Sequence, residues 1–158
     1  MAIAREKGCF VLACSSDSTD HYEKYLDNGA NVVIQGEGEI TLLETVKHIL
    51  NGTNYETESG IIYRIEGNTR INPKRPVIDE PDLLPMAAWD LAEIPEYKRR
   101  WIDKNGYFSI NMATTRGCPF KCNWCAKPIY GNRYNSRSPE KVVQEIEYLQ
   151  KQQFNNTG

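Results

Sequence analysis

No apolar run in these 158 residues approaches the roughly 18 that a membrane-spanning helix requires, and the N-terminal stretch has no signal-peptide core. A membrane span is therefore not expected. A charge of one sign is missing too. Lys and Arg number 19 against 21 Asp and Glu, a net of -2, which gives no field to gather nucleic acid. The short basic cluster Lys98-Arg99-Arg100-Trp101 reads as a solvated linker face. There are two histidines, His21 and His48, and neither has ligand partners beside it, so both read as surface or boundary residues before metal ligands. No internal repeat or low-complexity segment occurs. Five cysteines, an odd number without a pattern outside one cluster, exclude a secreted disulfide framework and point to a reducing, cytoplasmic setting. Cys9 and Cys14 are expected to be buried strand residues.

What is present is concentrated in the run TTRGCPFKCNWC, Thr114 to Cys125. A single cysteine is usually a small buried hydrophobe, and a C-x-x-C pair is more often a zinc site or a dithiol. Here a third cysteine lies four residues before the pair, so Cys118, Cys122 and Cys125 read as metal ligands. A [4Fe-4S] cluster normally takes four thiolates and structural zinc takes four closed ligands. Three local ligands leave two arrangements. One is a cubane with an open iron where chemistry can occur. The other is a non-catalytic zinc or electron-transfer module closed by Cys14, Cys9 or a histidine.

Along the chain, Cys9 to Cys14 and Ala30 to Ile34 are short apolar runs, Asp20 to Asn28 has a helical pattern, and Glu39 to Leu50 is an amphipathic helix stopped near Gly52. Its apolar face is Leu42, Leu43, Val46, Ile49 and Leu50. Alternating short strands and helices predict a parallel α/β layer. Gly60 to Asn72 predicts a hairpin turning at Gly67-Asn68, and Pro73 to Pro95 an extended, acidic linker in which Trp89 is a packing anchor. Phe108 to Thr115 alternates as a strand does, which would launch the cysteine loop from a strand's C-terminal end, where parallel barrels carry their active sites. Ser138 and Pro139 then cap and open a helix reaching about Gln153, with Val142, Val143, Ile146 and Leu149 as its apolar stripe. Gly36-Glu37-Gly38-Glu39 lies between a strand and a helix, but Thr41 stands where a dinucleotide fingerprint needs its third glycine, and the two glutamates would repel a pyrophosphate.

The spacing C-x3-C-x-aromatic-C, with Trp124 in the aromatic place, resembles the signature of the radical S-adenosylmethionine enzymes. That resemblance implies a [4Fe-4S] cluster on Cys118, Cys122 and Cys125, with S-adenosylmethionine chelating the fourth iron beside Trp124 and Phe120. It implies reductive cleavage of the sulfonium and hydrogen abstraction by a deoxyadenosyl radical. Ala126 to Leu149 is similar to the segment after the cluster loop in the cobalamin-binding branch. Ser15 to Glu44 is similar to the C-terminal half of the attached cobalamin-binding domain, which implies that Ser15, Ser16, Gly36, Glu37, Gly38 and Glu39 line cobalamin. In LPMAAWDL, Pro85, Trp89 and Asp90 resemble an inter-domain strap, although Ala87 stands where that signature has a proline. The nearest type is the anaerobic magnesium-protoporphyrin monomethyl ester cyclase and its unassigned relatives, whose shared fold does not select one reaction.

The expected fold is α/β. Residues 1–55 would be the C-terminal part of a Rossmann-like cobalamin-binding domain, 56–107 a hairpin and inter-domain linker, and 108–158 the first β-α unit of a partial TIM-like barrel. A whole barrel needs about 200 residues or more, so the chain reads as a fragment of an enzyme, inactive alone or an inactive truncated product. The resemblance implies a small-molecule substrate of tetrapyrrole or lipid-like character, modified by methylation, cyclisation or a related step. It also implies an electron donor such as flavodoxin or ferredoxin.

Overall fold

The computed structural model describes residues 1–124 and 129–154. The chain divides into two compact units. The first comprises Met1–Ile78 with Gly117–Arg133, and the second Asp79–Arg116 with the residues from Tyr134 onward. Among the described residues, no helix is long and apolar enough to cross a membrane.

In the first unit, α1 (Ala2–Glu6), β1 (Leu12–Cys14), α2 (Ser16–Asp20), α3 (Tyr22–Asp27), β2 (Val32–Ile34), α4 (Glu39–Asn51), β3 (Ile61–Ile65) and β4 (Asn68–Ile71) follow in order. The four strands form one mixed sheet in chain order. β1 and β2 are parallel, with Leu12 opposite Val32 and Cys14 opposite Ile34, whereas β3 and β4 join antiparallel. β2 is covered on both faces, and Val32, Val33 and Ile34 are fully buried, as an unbroken β-branched run allows. Val33 and Ile62 pack with Leu26 and Ala30 on one face, while Val32, Ile61 and Tyr63 pack on the other with Leu12 and Tyr55.

Several expectations are corrected here. The helix expected over Asp20 to Asn28 is α3, and a further short helix not expected, α2, precedes it and meets it at His21. The hairpin turns at Glu66-Gly67, one residue earlier than expected, because Asn68 pairs with Ile65. Both turn residues have positive φ, 48° and 78°, as a two-residue hairpin turn demands. Cys9 and Cys14 are exposed rather than buried. Cys9 precedes the strand, and Cys14 ends a strand at the edge of the sheet.

Helix α4 ends on Gly52 in the left-handed conformation, as expected. Its packed side is not the leucine stripe. Thr41 and Thr45 are fully buried, while Leu42, Leu43 and Leu50 are exposed. The cause is a close approach: a Cβ on Gly60 would lie 2.9 Å from Thr41 Oγ1. Thr41 also donates to Ser59 O at 3.3 Å and accepts from Arg75 Nε at 3.1 Å.

The second unit contains α5 (Ile94–Asn105) and α6 (Pro139–Phe154), with short 3-10 turns at Pro81–Leu83 and Trp89–Leu91. α5 begins where the extended stretch expected from Pro73 to Pro95 ends. Pro95 in its first turn, Gly106 as its left-handed stop and the Glu96–Arg99 and Glu96–Arg100 pairs explain it. Phe108 to Thr114 has no strand pairing among the described residues. The ladder begins at Thr115, where β5 (Thr115–Gly117) pairs with β6 (Tyr134–Ser136). Alternation supplied suitable side chains, but a strand also needs a partner for its backbone. On α6 the buried residues are Glu145 and Leu149, while Val143 and Ile146 are exposed. The facing side follows Glu145, whose partners are described below.

Candidate cofactor-binding loops

The parallel pairing of β1 and β2 places the loops that leave their C-terminal ends side by side, the usual ligand position in an open α/β sheet. The first loop begins at Ser15, the N-cap of α2, whose Oγ accepts from Ser18 N at 2.9 Å. Ser18, fully buried, donates its hydroxyl back to Ser15 O. Thr19 joins the two loops. Its hydroxyl donates to Ser15 O at 2.9 Å and accepts from Gly36 N at 3.3 Å. Ser15, Ser16, Gly36 and Gly38 therefore share one end of the sheet. Thr19 was missed in the sequence, because nothing in its neighbours signals a contact with a loop 17 residues on.

The two glycines differ in purpose. Gly36 has φ +68° and open space where a Cβ would stand, so it leaves room above the sheet. Gly38 sits close under a side chain, since a Cβ there would lie 2.5 Å from Cys14 Sγ and the thiol would have to shift. Although Cys14 is exposed overall, partial desolvation of its sulfur, then the nearby Glu39 carboxylate, pushes its thiol up from the ordinary range. Of the two acids expected at this end, Glu39 is exposed. Glu37 is buried, and its carboxylate accepts from Ile78 N at 2.6 Å, so it ties down the chain leaving the hairpin.

The same exit is held further along by Arg75, which bonds Thr41, pairs with Glu44 and reaches Glu58 at 3.2 Å. His48 closes this group, with Nε2 at 3.0 Å from Glu58 and Nδ1 at 2.7 Å from Thr53. Both its ring nitrogens are thus engaged. His21 lies at the start of α3, 3.9 Å from the Asp17 carboxylate.

The cysteine loop is carried between β5 and β6. Gly117, at φ +81°, lies against the Arg133 carbonyl, where no side chain would fit. Cys118 is half-buried and Cys122 exposed. Phe120 and Trp124 are 70% and 88% exposed, so neither is buried in a core among the described residues. Cys125 lies outside the described residues, as do residues 126–128 and 155–158. Among the described residues, no three metal-ligating side chains come together.

The stem of this loop is tied by polar groups. Arg137, next after β6, donates its backbone N–H to Thr114 O at 3.0 Å and its guanidinium to Ala113 O at 3.0 Å. It forms an ion pair with Glu145, which also accepts from Trp89 Nε1 at 2.6 Å. Trp89 is thus more than an apolar anchor. Asp82 accepts from Ser138 N with both oxygens at 3.1 Å, and the Ser138 hydrogen bonds hold its carboxyl below the usual range. Ser138 Oγ caps α6 as expected, accepting from Lys141 N at 3.3 Å.

No family model matches the chain. It is 33% identical over 120 residues to an uncharacterized methyltransferase from Pyrococcus horikoshii, covering 75% of this chain and 25% of that protein. It is also 33% identical over 127 residues to the anaerobic magnesium-protoporphyrin IX monomethyl ester cyclase of Rubrivivax gelatinosus, covering 77% and 22%. The chain thus spans about a quarter of the length of these relatives. In fold it matches the radical S-adenosylmethionine methyltransferase TsrM from Kitasatospora setae, solved with cobalamin and a [4Fe-4S] cluster. The TM-score is 0.65 at 22% identity, over 91% of this chain and 29% of that one. Its fold is that of such enzymes, and by sequence the chain belongs to the cobalamin-binding radical S-adenosylmethionine superfamily.

Proposed function

We propose that this chain contributes the cobalamin-facing loops and the cluster loop of an enzyme that cleaves S-adenosylmethionine reductively to modify a small molecule. The observation that carries this reading is the pairing of two features in one chain of this superfamily. One is the set of small-residue loops bridged by Thr19 at the ends of β1 and β2. The other is the three-cysteine loop with exposed Phe120 and Trp124.

The residues suit their groups. Gly36 leaves open space for a bulky corrin, and Ser15, Ser16, Gly38 and Glu39 surround that end of the sheet. Glu37 acts beneath them by holding Ile78. Cys118, Cys122 and Cys125 would hold the cluster as three soft thiolates, and His48 has both ring nitrogens engaged elsewhere. Trp124 and Phe120 would flank S-adenosylmethionine, shielding it from water. When bound and reduced, the cluster supplies the electron that splits the sulfonium.

On this reading residues 1–55 belong to the cobalamin-binding domain, 56–107 to the hairpin and linker and 108–158 to the start of the barrel. The substrate is of tetrapyrrole or lipid-like character, and a flavodoxin or ferredoxin in the cytoplasm donates the electron. Iron and sulfide bound after anaerobic reconstitution test the cluster, and retention of aquacobalamin on gel filtration tests the loops. Cys118→Ala, Cys122→Ala or Cys125→Ala should each abolish the cluster, and Gly36→Val should abolish cobalamin retention while leaving the cluster. Zinc held in preference to a cluster would favour a closed metal module instead.

A further inference from the structure

Glu145 is the most buried charged side chain described in this chain, 2% exposed on a helix whose neighbouring valine and isoleucine face outward. A carboxylate is costly to bury unless it is paired. Here one oxygen accepts from Trp89 Nε1 and the other faces the Arg137 guanidinium. Buried ion pairs add little stability over apolar residues of equal size, and their best-attested use is to fix one arrangement among several.

The arrangement fixed here is the mouth of the cysteine loop. β5 and β6 have three residues each, and a two-stranded ladder so short holds poorly alone. Arg137 crosses that mouth, since it follows the strand that leaves the loop and bonds Ala113 and Thr114 on the chain that enters it. Glu145 holds Arg137 from α6, and Trp89 holds Glu145 from the linker. Loop closure then costs less when the three thiols gather.

We propose that Glu145, Arg137 and Trp89 form a latch that keeps the mouth of the cysteine loop closed and so governs how firmly the loop retains a cluster. These are positioning residues. The proposal rests on the reading of the loop as a cluster site, and its test separates the two.

The test measures amide hydrogen exchange of the 158-residue chain at Arg137 and across 115–117 and 134–136. It also measures the rate at which a ferrous chelator strips iron from the reconstituted chain. Glu145→Gln keeps an acceptor for Trp89 but removes the charge facing Arg137. It should speed exchange at the stem and iron loss by about tenfold or more, with amides of the β1–β4 sheet unchanged. Arg137→Lys keeps the charge but loses the guanidinium hydrogen bond to Ala113, and should give a smaller change in the same direction. Stem exchange unaltered in both variants, acceleration spread equally over both units, or iron loss at the wild-type rate would overturn the latch. A wild-type chain that takes up no iron would count against the cluster reading alone, and stem exchange would then decide the latch by itself.

Discussion

In the first unit Val32, Val33, Ile34, Ile61 and Ile62 are at most 1% exposed and the sheet is held by apolar contact. In the second unit the most deeply buried side chain described on α6 is a carboxylate. The two regions therefore fail differently. An apolar core loses stability in proportion to the volume removed. A buried ion pair loses most when one partner is removed, because the other charge is left uncompensated.

The largest effect should follow Glu145→Ala, at about 3–5 kcal/mol from the orphaned Arg137 and the lost Trp89 bond. Denaturant unfolding followed by tryptophan fluorescence reads it. The double substitution Arg137→Met with Glu145→Leu sharpens the comparison, since it should recover most of that stability without recovering stem protection in hydrogen exchange.

Ile62→Ala should cost about 2–5 kcal/mol, because Ile62 packs with Leu26, Ala30 and Val33. Its effect should appear in the circular dichroism melt of the first unit. Gly38→Ala should cost about 1–3 kcal/mol by driving a methyl into Cys14 Sγ. Adding Cys14→Ala should return much of this, a coupling that a double-mutant cycle would measure.

The smallest effect lies on the surface. Hydrogen bonds from Arg99 and Arg100 hold the Glu96 carboxyl at about 2, against an ordinary 4.5. A depressed carboxyl contributes stability that is present above its unfolded value and is lost as pH falls through the folded one. The helicity of α5 should therefore decline between pH 4.5 and 2, and Glu96→Gln should flatten that decline, as read by far-ultraviolet circular dichroism at low salt.

Legibility followed the kind of force at work. Apolar runs announced β1, β2 and the β3–β4 hairpin, and Gly52 and Ser138 marked a helix end and a helix start, because these signals are local. The cysteine spacing was equally local, as was the strand–loop–helix order that puts Ser15 and Gly36 at one end of the sheet. The packed faces of α4 and α6 were not legible from periodicity. Gly60 selects Thr41 over the leucines from 19 residues away, and Trp89 and Arg137 select Glu145 over Val143 and Ile146. Buried polar contacts of this kind have no period. The burial assigned to Cys14 failed for a related reason, since an apolar run does not say which strand will be the edge.

The central claim is that three thiolates in this chain hold a cluster with one iron open to S-adenosylmethionine. The direct measurement is the electron paramagnetic resonance spectrum of the anaerobically reconstituted and reduced chain, recorded with and without S-adenosylmethionine, with Cys122→Ala as the control. The account predicts a [4Fe-4S] signal that shifts when S-adenosylmethionine is added and is absent from the variant. A signal of full intensity that is indifferent to S-adenosylmethionine would contradict it, because the fourth iron would then already have a ligand from the protein.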